Sequence, residues 1–317
     1  MLSMFFTKTS EVKMREEKKM FLTLNSISEL CNRAGVSKPK HPLIALIKLE
    51  DIPQSKYEPI NQIMNFYVIS LKRCFDGKMK YGQNYYDFDE GVLAFMEPGQ
   101  VLSTEGGNQK YEGWWLVFHP DFIRNYPLGK SIKEYGFFSY AVTEALHLSE
   151  KEETMLINIL KNIEDEYNTS IDHFSQDVMV SHLELFLNYS NRFYNRQFIT
   201  RKTASDDLLV KMENLLNGYF DTDKALELGL PSVQYFADQL NVSPNYLSDM
   251  LRAITGQSTQ QHIHHKIIEK AKELLSTTHQ SVAEIAYHLG FERPQSFNKL
   301  FKSKTNFSPL DYRSSFN

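Results

Sequence analysis

The spacing of hydrophobic residues changes twice along the chain and separates regions of different secondary structure. Short apolar or aromatic runs occupy residues 43–47, 65–71, 92–96 and 114–118, with the turn pairs Asp76-Gly77, Glu90-Gly91 and Pro98-Gly99 between them. Short runs of this kind, separated by turn residues, predict β-strands. We therefore expect a small β-barrel or sandwich from about residue 41, in which the adjacent Trp114 and Trp115 point to opposite faces.

Helical spacing replaces the strand pattern between residues 120 and 197. Two apolar stripes are present: the first consists of Leu156, Ile159, Leu160 and Ile163, and the second of Val178, His182, Leu185, Phe186 and Tyr189. Stripes at this period predict amphipathic helices. We expect an antiparallel helical hairpin over 149–197, with enough apolar surface left over to pair two protomers.

The remaining boundaries follow from polar stretches. Residues 1–40 are predicted to form an N-terminal arm with a short helix near 28–34, ended by Gly35. Residues 41–198 would form the β-rich part with its hairpin. Residues 199–206 are expected to be a polar linker that few contacts cross. Residues 207–317 are predicted to be entirely helical.

One supersecondary pattern occurs twice within residues 231–313. In each copy a small residue, Ala237 or Ala286, precedes a turn residue, Asn241 or Gly290, by four positions. The small side chain lets a second helix cross closely, and the turn residue tolerates the left-handed backbone that ends a helix. The pattern predicts two helix-turn-helix units, joined by a helix over about 259–276.

The second helix of the first unit is predicted to begin at Ser243 and Pro244, an N-cap residue followed by a proline suited to the first helical position. Leu247 and Leu251 lie four apart and should face inward. The residues left outside, which are the candidates for DNA contact, are Asn245, Tyr246, Ser248, Asp249 and Arg252. Asparagine can pair with adenine, and hydroxyl groups can bond phosphates or base edges.

The second unit is more basic than the first. Its inward residues are Phe297, Leu300 and Phe301, and its candidate DNA contacts are Arg293, Gln295, Ser296, Asn298, Lys299 and Lys302. Residues 293–304 contain four cations and no acid, whereas residues 231–256 contain Arg252 against Asp238 and Asp249. We expect the second unit to supply most of the attraction to phosphates and the first to discriminate between sequences.

Residues 207–316 resemble the DNA-binding domain of AraC-type transcription regulators. The stretches that carry the resemblance are Phe236-Ala237, residues 243–248, residues 255–258, residues 271–275, Ile285-Ala286, residues 289–291 and residues 308–313. The resemblance implies two helix-turn-helix subdomains on a linker helix, each placing one helix in the major groove, and contact with RNA polymerase. Two positions depart from the family: Asp249 stands where a basic residue is common, and Asn306 stands where glycine is usual.

The N-terminal part is similar to the cupin-like sensor domains that precede such DNA-binding domains, through residues 86–95 followed by Glu97-Pro98-Gly99-Gln100. His41 and His119 are the only histidines between residues 41 and 125, so the usual histidine ligands of a cupin metal site are missing. His262, His264 and His265 form a cluster, but helix positions two and three apart do not all converge on one point. We expect no cofactor, no metal site and no enzymatic activity.

Composition restricts the setting in which the protein works. The net charge is −4, so affinity for DNA must come from local patches. Cys31 and Cys74 are the only cysteines and lack metal-type spacing, which predicts a reducing cytoplasm. We expect neither a membrane span nor a signal peptide, and Met20 is a second candidate start.

Together these patterns and resemblances predict an α+β protein with an N-terminal cupin-like β-barrel, a helical dimerisation hairpin and a C-terminal double helix-turn-helix domain. The predicted function is a homodimeric, ligand-responsive activator that binds double-stranded promoter DNA, with a small-molecule effector in the barrel. One alternative is a ligand-independent dimeric regulator whose barrel is an interaction module. A further alternative is a metal-dependent cupin enzyme fused to a DNA-binding domain.

Overall fold

The computed structural model describes residues 21–53, 60–73, 79–81, 84–86, 91–104, 112–169, 172, 174–200, 202–222 and 224–315. The strands are β1 (Phe21–Leu24), β2 (Ile44–Lys48), β3 (Ile60–Met64), β4 (Tyr67–Arg73), β5 (Met79–Tyr81), β6 (Asn84–Tyr86), β7 (Val92–Met96), β8 (Val101–Thr104), β9 (Glu112–Phe118) and β10 (Leu146–His147). Four of them, β2, β4, β7 and β9, confirm the strands predicted from the apolar runs.

The other regular elements of the described chain are helices and short 3-10 turns. Those of the N-terminal part are α1 (Ile27–Ala34), α2 (Pro120–Ile123), α3 (Pro127–Ser131), α4 (Glu150–Asn168) and α5 (Ser175–Thr200). Those that follow are α6 (Lys202–Phe220), α7 (Lys224–Leu228), α8 (Val233–Leu240), α9 (Pro244–Thr255), α10 (Thr259–Thr277), α11 (Val282–His288), α12 (Pro294–Thr305) and α13 (Pro309–Ser314). The predicted α+β class and the all-helical C-terminal part are therefore confirmed.

The strands form three open sheets within the described residues. Five antiparallel strands have the order β10-β7-β4-β9-β2, three have the order β1-β3-β8, and β5 pairs with β6. The prediction of a closed barrel is not confirmed, because the large sheet ends at β10 and β2 and the small sheet is built around β3. Parallel pairing of β1 with β3 adds a strand that no apolar run predicted.

The five-stranded sheet is covered on both faces. Alternate residues such as Ile69 and Leu116 face the helical layer of α4 and α5, whereas Val68 and Val117 face the three-stranded sheet and α1. Trp114 packs on the first side and Trp115 on the second, which confirms that they point to opposite faces. The indole N–H of Trp115 donates to Ser70 Oγ at 2.9 Å.

The second half of the predicted arm belongs to the folded N-terminal part. The helix expected at 28–34 is α1, capped by Ser26 and ended by Gly35 in the left-handed conformation. Its residues Ile27, Leu30 and Cys31 are buried against the small sheet, so residues 21–40 form β1 and α1 and not a free arm. Residues 1–20 lie outside the described residues, as does Cys74.

The helical hairpin is present, but it is longer than predicted. Helices α4 and α5 pack against each other, and α5 continues to Thr200. Helix α6 begins at Lys202, so most of the stretch expected to be an open linker is helical. Ser205 is buried there and its hydroxyl donates to the Phe198 carbonyl at 2.8 Å, because the start of α6 packs back on the end of α5.

Candidate nucleic-acid interface

The two helix-turn-helix units have the same turn geometry. In the first, α8 and α9, the N–H of Val242 donates to the Ala237 carbonyl at 3.0 Å; in the second, α11 and α12, the N–H of Phe291 donates to the Ala286 carbonyl at 2.9 Å. Ala237 and Ala286 are both fully buried, as the close crossing of the two helices requires. The predicted duplication is therefore confirmed at the level of single hydrogen bonds.

The turn residues are left-handed in both units, with φ of 55° at Asn241 and 89° at Gly290. Their surroundings differ. A β-carbon added at Gly290 would lie 2.6 Å from the Gly229 carbonyl carbon and 2.8 Å from the Ala225 oxygen. Glycine is required at 290 because the backbone after α7 approaches it, whereas a side chain is accommodated at Asn241.

Helix α10 joins the units as predicted. It covers 19 residues and buries Ile263, Ile267, Ala271 and Leu275. At its far end the Arg313 guanidinium Nε donates to the Leu275 carbonyl at 3.1 Å and ties α13 to α10. Asn306 ends α12 in the left-handed conformation with φ of 64°, so asparagine performs the role expected of glycine at this position.

The candidate residues of the second unit lie on the surface. Arg293 is the N-cap of α12, and the five others lie on the helix itself. All six candidates are exposed, and none of their side chains makes a hydrogen bond within the part of the chain that the structure describes: Arg293, Gln295, Ser296, Asn298, Lys299 and Lys302. This basic face is open to an anionic partner.

The candidate residues of the first unit contact the N-terminal part of the chain. Residues 136–144, which we call the strap, consist of 3-10 turns at Gly136–Ser139 and Val142–Glu144 with Tyr140 and Ala141 between them. The Asn245 amide donates to Ser139 Oγ at 2.6 Å. The Tyr140 hydroxyl donates to Asp249 Oδ2 at 2.7 Å, while Arg252 pairs with Asp249 Oδ1 at 2.8 Å.

Glu144 attaches the strap to the start of α9. Its buried carboxylate accepts from the backbone N–H and the hydroxyl of Ser243, each at 2.6 Å, and from the Ala141 N–H at 2.7 Å. Burial raises the pKa of Glu144, and the bonds from Ser243 and Ala141 act in the opposite direction. Ser243 is also the N-cap of α9, accepting from the Tyr246 N–H.

Aromatic rings complete the contact between strap and helix. The ring of Tyr246 meets Tyr140 and Phe198 edge to face, with centroids 5.3 and 5.2 Å apart. Tyr140 also meets Tyr194 of α5 at 5.2 Å. Burial, together with the Asp249 carboxylate, raises the pKa of Tyr140 well above its ordinary value, so its hydroxyl stays a hydrogen-bond donor.

The residues of the strap were not predicted as functional, because they lie about a hundred positions before α9 in the sequence. One signal pointed to them. Asp249 is an acid on a face expected to meet DNA, which indicates a partner other than phosphate. The remaining first-unit candidate, Ser248, donates to Thr259 Oγ1 at 3.1 Å and so links α9 to α10.

The histidines of α10 have separate neighbours. The ring of His262 lies 2.9 Å from Thr255 Oγ1, His264 lies 2.9 Å from the Gln260 amide, and His265 faces Glu269 at 3.9 Å. Burial lowers the pKa of His262 and of His264. Among the described residues no three histidine, cysteine or acidic side chains are grouped as metal ligands, and no helix there is long and apolar enough to cross a membrane.

Comparison with known proteins identifies the C-terminal part. Residues 236–315 match the family model described as a helix-turn-helix domain. The HTH-type transcriptional activator RhaS of Escherichia coli O157:H7 is 35% identical over 100 residues, which are 32% of this chain and 35% of the relative. The match thus spans about a third of the length of these curated relatives.

Solved structures with some likeness include the C-terminal domain of AraT, a response regulator from Geobacillus stearothermophilus. It is 29% identical, covers 34% of this chain and 84% of its own, and has a TM-score of 0.31. ToxT from Vibrio cholerae is 13% identical over 86% of this chain and 97% of its own, with a TM-score of 0.29. Residues 236–315, with their two matched units on one linker helix, match a helix-turn-helix domain and are similar to part of the transcriptional activator RhaS.

Proposed function

We propose that this protein is a sequence-specific transcription regulator that binds double-stranded promoter DNA through two helix-turn-helix units. The observation that carries the proposal is the pair of matched units on α10, one of which presents six exposed polar and basic residues. Two units on one rigid helix would enter successive major grooves roughly 34 Å apart. The basic face of α12 would supply the contacts to phosphates.

We infer distinct roles for the two reading helices. On α12, Lys299 and Lys302 would neutralise phosphates, and Asn298, Gln295 and Arg293 would contact base edges. On α9, Asn245 and Asp249 would contact bases, and Asp249 can accept from the amino group of cytosine. Tyr246, Ser248 and Arg252 would support the docking of that helix.

The N-terminal part would act as a relative of the cupin-like sensors and as a dimerisation module. Support for a homodimer comes from α5, on which Val178 and Leu185 remain 38% and 43% exposed at a spacing of two helical turns. Phe174, just before the helix, is 58% exposed. A small-molecule effector and contact with RNA polymerase, both implied by the family resemblance, stay predictions, and the proposal assigns no catalytic step.

The proposal is tested by selecting sites from random-sequence duplexes with the purified full chain. We expect an enriched site two major grooves long, protected on one side of the duplex in hydroxyl-radical footprinting. A chain with Lys299→Ala and Lys302→Ala should enrich the same site far more weakly at equal salt. Absence of any enriched sequence at low salt would refute the proposal.

A further inference from the structure

The side chains of α9 that would read DNA are already engaged inside the molecule. Asn245 is bonded to Ser139, and Asp249 to Tyr140. The contact is also close at the level of the backbone, because a β-carbon added at Gly136 would lie 2.3 Å from Asp249 Oδ2. The strap therefore covers the reading face of α9. The equivalent face of α12, in the second unit, is open.

The strap and a DNA duplex cannot occupy this face together. The major groove is about 12 Å wide, and a helix with its side chains is about 10–12 Å across. A recognition helix therefore fills the groove, and a second stretch of backbone lying against its reading face has no room. Before α9 enters the groove, the strap must leave it.

The negative charge of the strap also opposes the binding of DNA by α9. Glu144 places a carboxylate at the N-terminus of α9, where its oxygens accept from the N–H and hydroxyl of Ser243. Helix N-termini are also places where DNA-binding proteins contact phosphates. With Glu144 in position, a phosphate would meet a like charge and find the Ser243 donors occupied.

We propose that the strap, residues 136–144, is an autoinhibitory latch that keeps the first helix-turn-helix unit off DNA while the second unit stays free to bind. The inference rests on the proposed function. A closed chain would hold DNA through α12 alone, and opening of the latch would add the second groove. Apparent affinity for a two-groove site is then reduced by the fraction of chains that are closed.

A reversible cross-link between strap and helix tests the latch directly. Gly136→Cys combined with Asp249→Cys suits a disulfide, because a β-carbon at Gly136 would lie 3.5 Å from the Asp249 carboxyl carbon. The probe is the two-groove duplex selected from random-sequence DNA. We expect the reduced form to bind it at least about tenfold more tightly than the oxidised form, a difference of about 1.4 kcal/mol. The unsubstituted chain, given the same oxidant and reductant, controls for Cys31 and Cys74.

A second set of variants leaves every DNA-facing residue unchanged. Tyr140→Phe combined with Glu144→Gln removes the bond to Asp249 and weakens the bonds from Ser243. We expect this chain to bind the duplex about tenfold more tightly than the parent, since each lost bond involves a charged group. Tyr135→Phe is the matched control, because it also removes a tyrosine hydroxyl next to the strap, but one that bonds Asn188 of α5 at 2.9 Å.

The outcomes separate the latch from the function on which it rests. Equal affinity of the oxidised, reduced, Tyr140→Phe/Glu144→Gln and parent chains would refute the latch and leave DNA binding intact. Weaker binding by the strap variant, with helical content unchanged by circular dichroism, would mean that the strap supports α9 and would also refute the latch. Failure of every form to bind any duplex would refute the proposed function and the latch with it.

Discussion

Asp249 is the residue at which the two halves of the molecule meet most specifically. Its carboxylate accepts from Tyr140 of the strap through one oxygen and pairs with Arg252 of its own helix through the other. A lysine or arginine at this position would lose both interactions and bring a positive charge to the buried tyrosine hydroxyl. The departure from the basic residue common in the family is thus matched by a partner within the chain.

Gly290, which follows α11, and Gly256, which follows α9, differ in how well they tolerate an added β-carbon. Gly290→Ala combines a left-handed backbone with a β-carbon less than 3 Å from the backbone at Gly229, and should lower the free energy of unfolding by roughly 3 kcal/mol or more. Gly256→Ala is the matched control, since φ is 76° but the site is open, so it should cost only about 1 kcal/mol. Urea unfolding followed by circular dichroism measures both; equal losses would contradict the close approach at Gly290.

At the scale of elements, α9 and α12 are equivalent in geometry but differ in charge, because α9 carries one acid and one base whereas α12 carries three lysines and no acid. Both begin with proline at the first helical position and end at a left-handed residue, Gly256 or Asn306. Only α12 carries an exposed row of cations. Because its lysines face solvent and the sole cation of α9 is paired with Asp249, electrostatic attraction to DNA should come from the second unit.

The difference in charge between the two units can be measured through the salt dependence of DNA affinity. Lys299→Ala and Lys302→Ala should each reduce the slope of log affinity against log salt by about 0.9, the contribution of one phosphate contact. Lys161→Ala, an exposed lysine on α4, is the control and should leave the slope unchanged. If Arg252→Ala alone abolished the salt dependence, the division between the units would be wrong.

The exposed apolar face of α5 carries the prediction of a dimer. Leu185→Asp should shift the chain from dimer to monomer, because a charge buried in an apolar contact between helices is costly. Val210→Asp on α6, which is 53% exposed and belongs to another surface, should not change the oligomeric state. Analytical ultracentrifugation of both variants distinguishes the two results, and a dimer that persists with Leu185→Asp would place the interface elsewhere.

The sequence predicted these elements unevenly, for physical reasons. Apolar runs predicted β2, β4, β7 and β9, because these strands of the five-stranded sheet bury side chains on both faces. It missed β1, β3, β5, β6, β8 and β10, which are short or polar. Of these, β1, β3, β8 and β10 also depend on partners distant in the chain. The sequence predicts a linker at 199–206 because most of these residues are polar, although the start of α6 packs back onto the end of α5 there.

At the scale of the whole molecule, one apolar core extends from the five-stranded sheet through α5 into both helix-turn-helix units. Residues such as Phe95, Tyr194 and Leu247 belong to it. The local sequence pattern predicted most of the helices that form this core. It did not predict how the strap packs on α9, since the contacts between them join residues about a hundred positions apart. The second unit remains the part whose reading face is open.

The central claim is that DNA binding by both units requires the strap to leave α9. Hydrogen exchange of the full chain, with and without the two-groove duplex, tests it most directly. We expect amides of residues 136–144 to exchange faster when the duplex is added, while exchange around α12 slows. Slower exchange at α12 with unchanged or slower exchange in the strap would contradict the claim, because the duplex would then be bound with the latch closed.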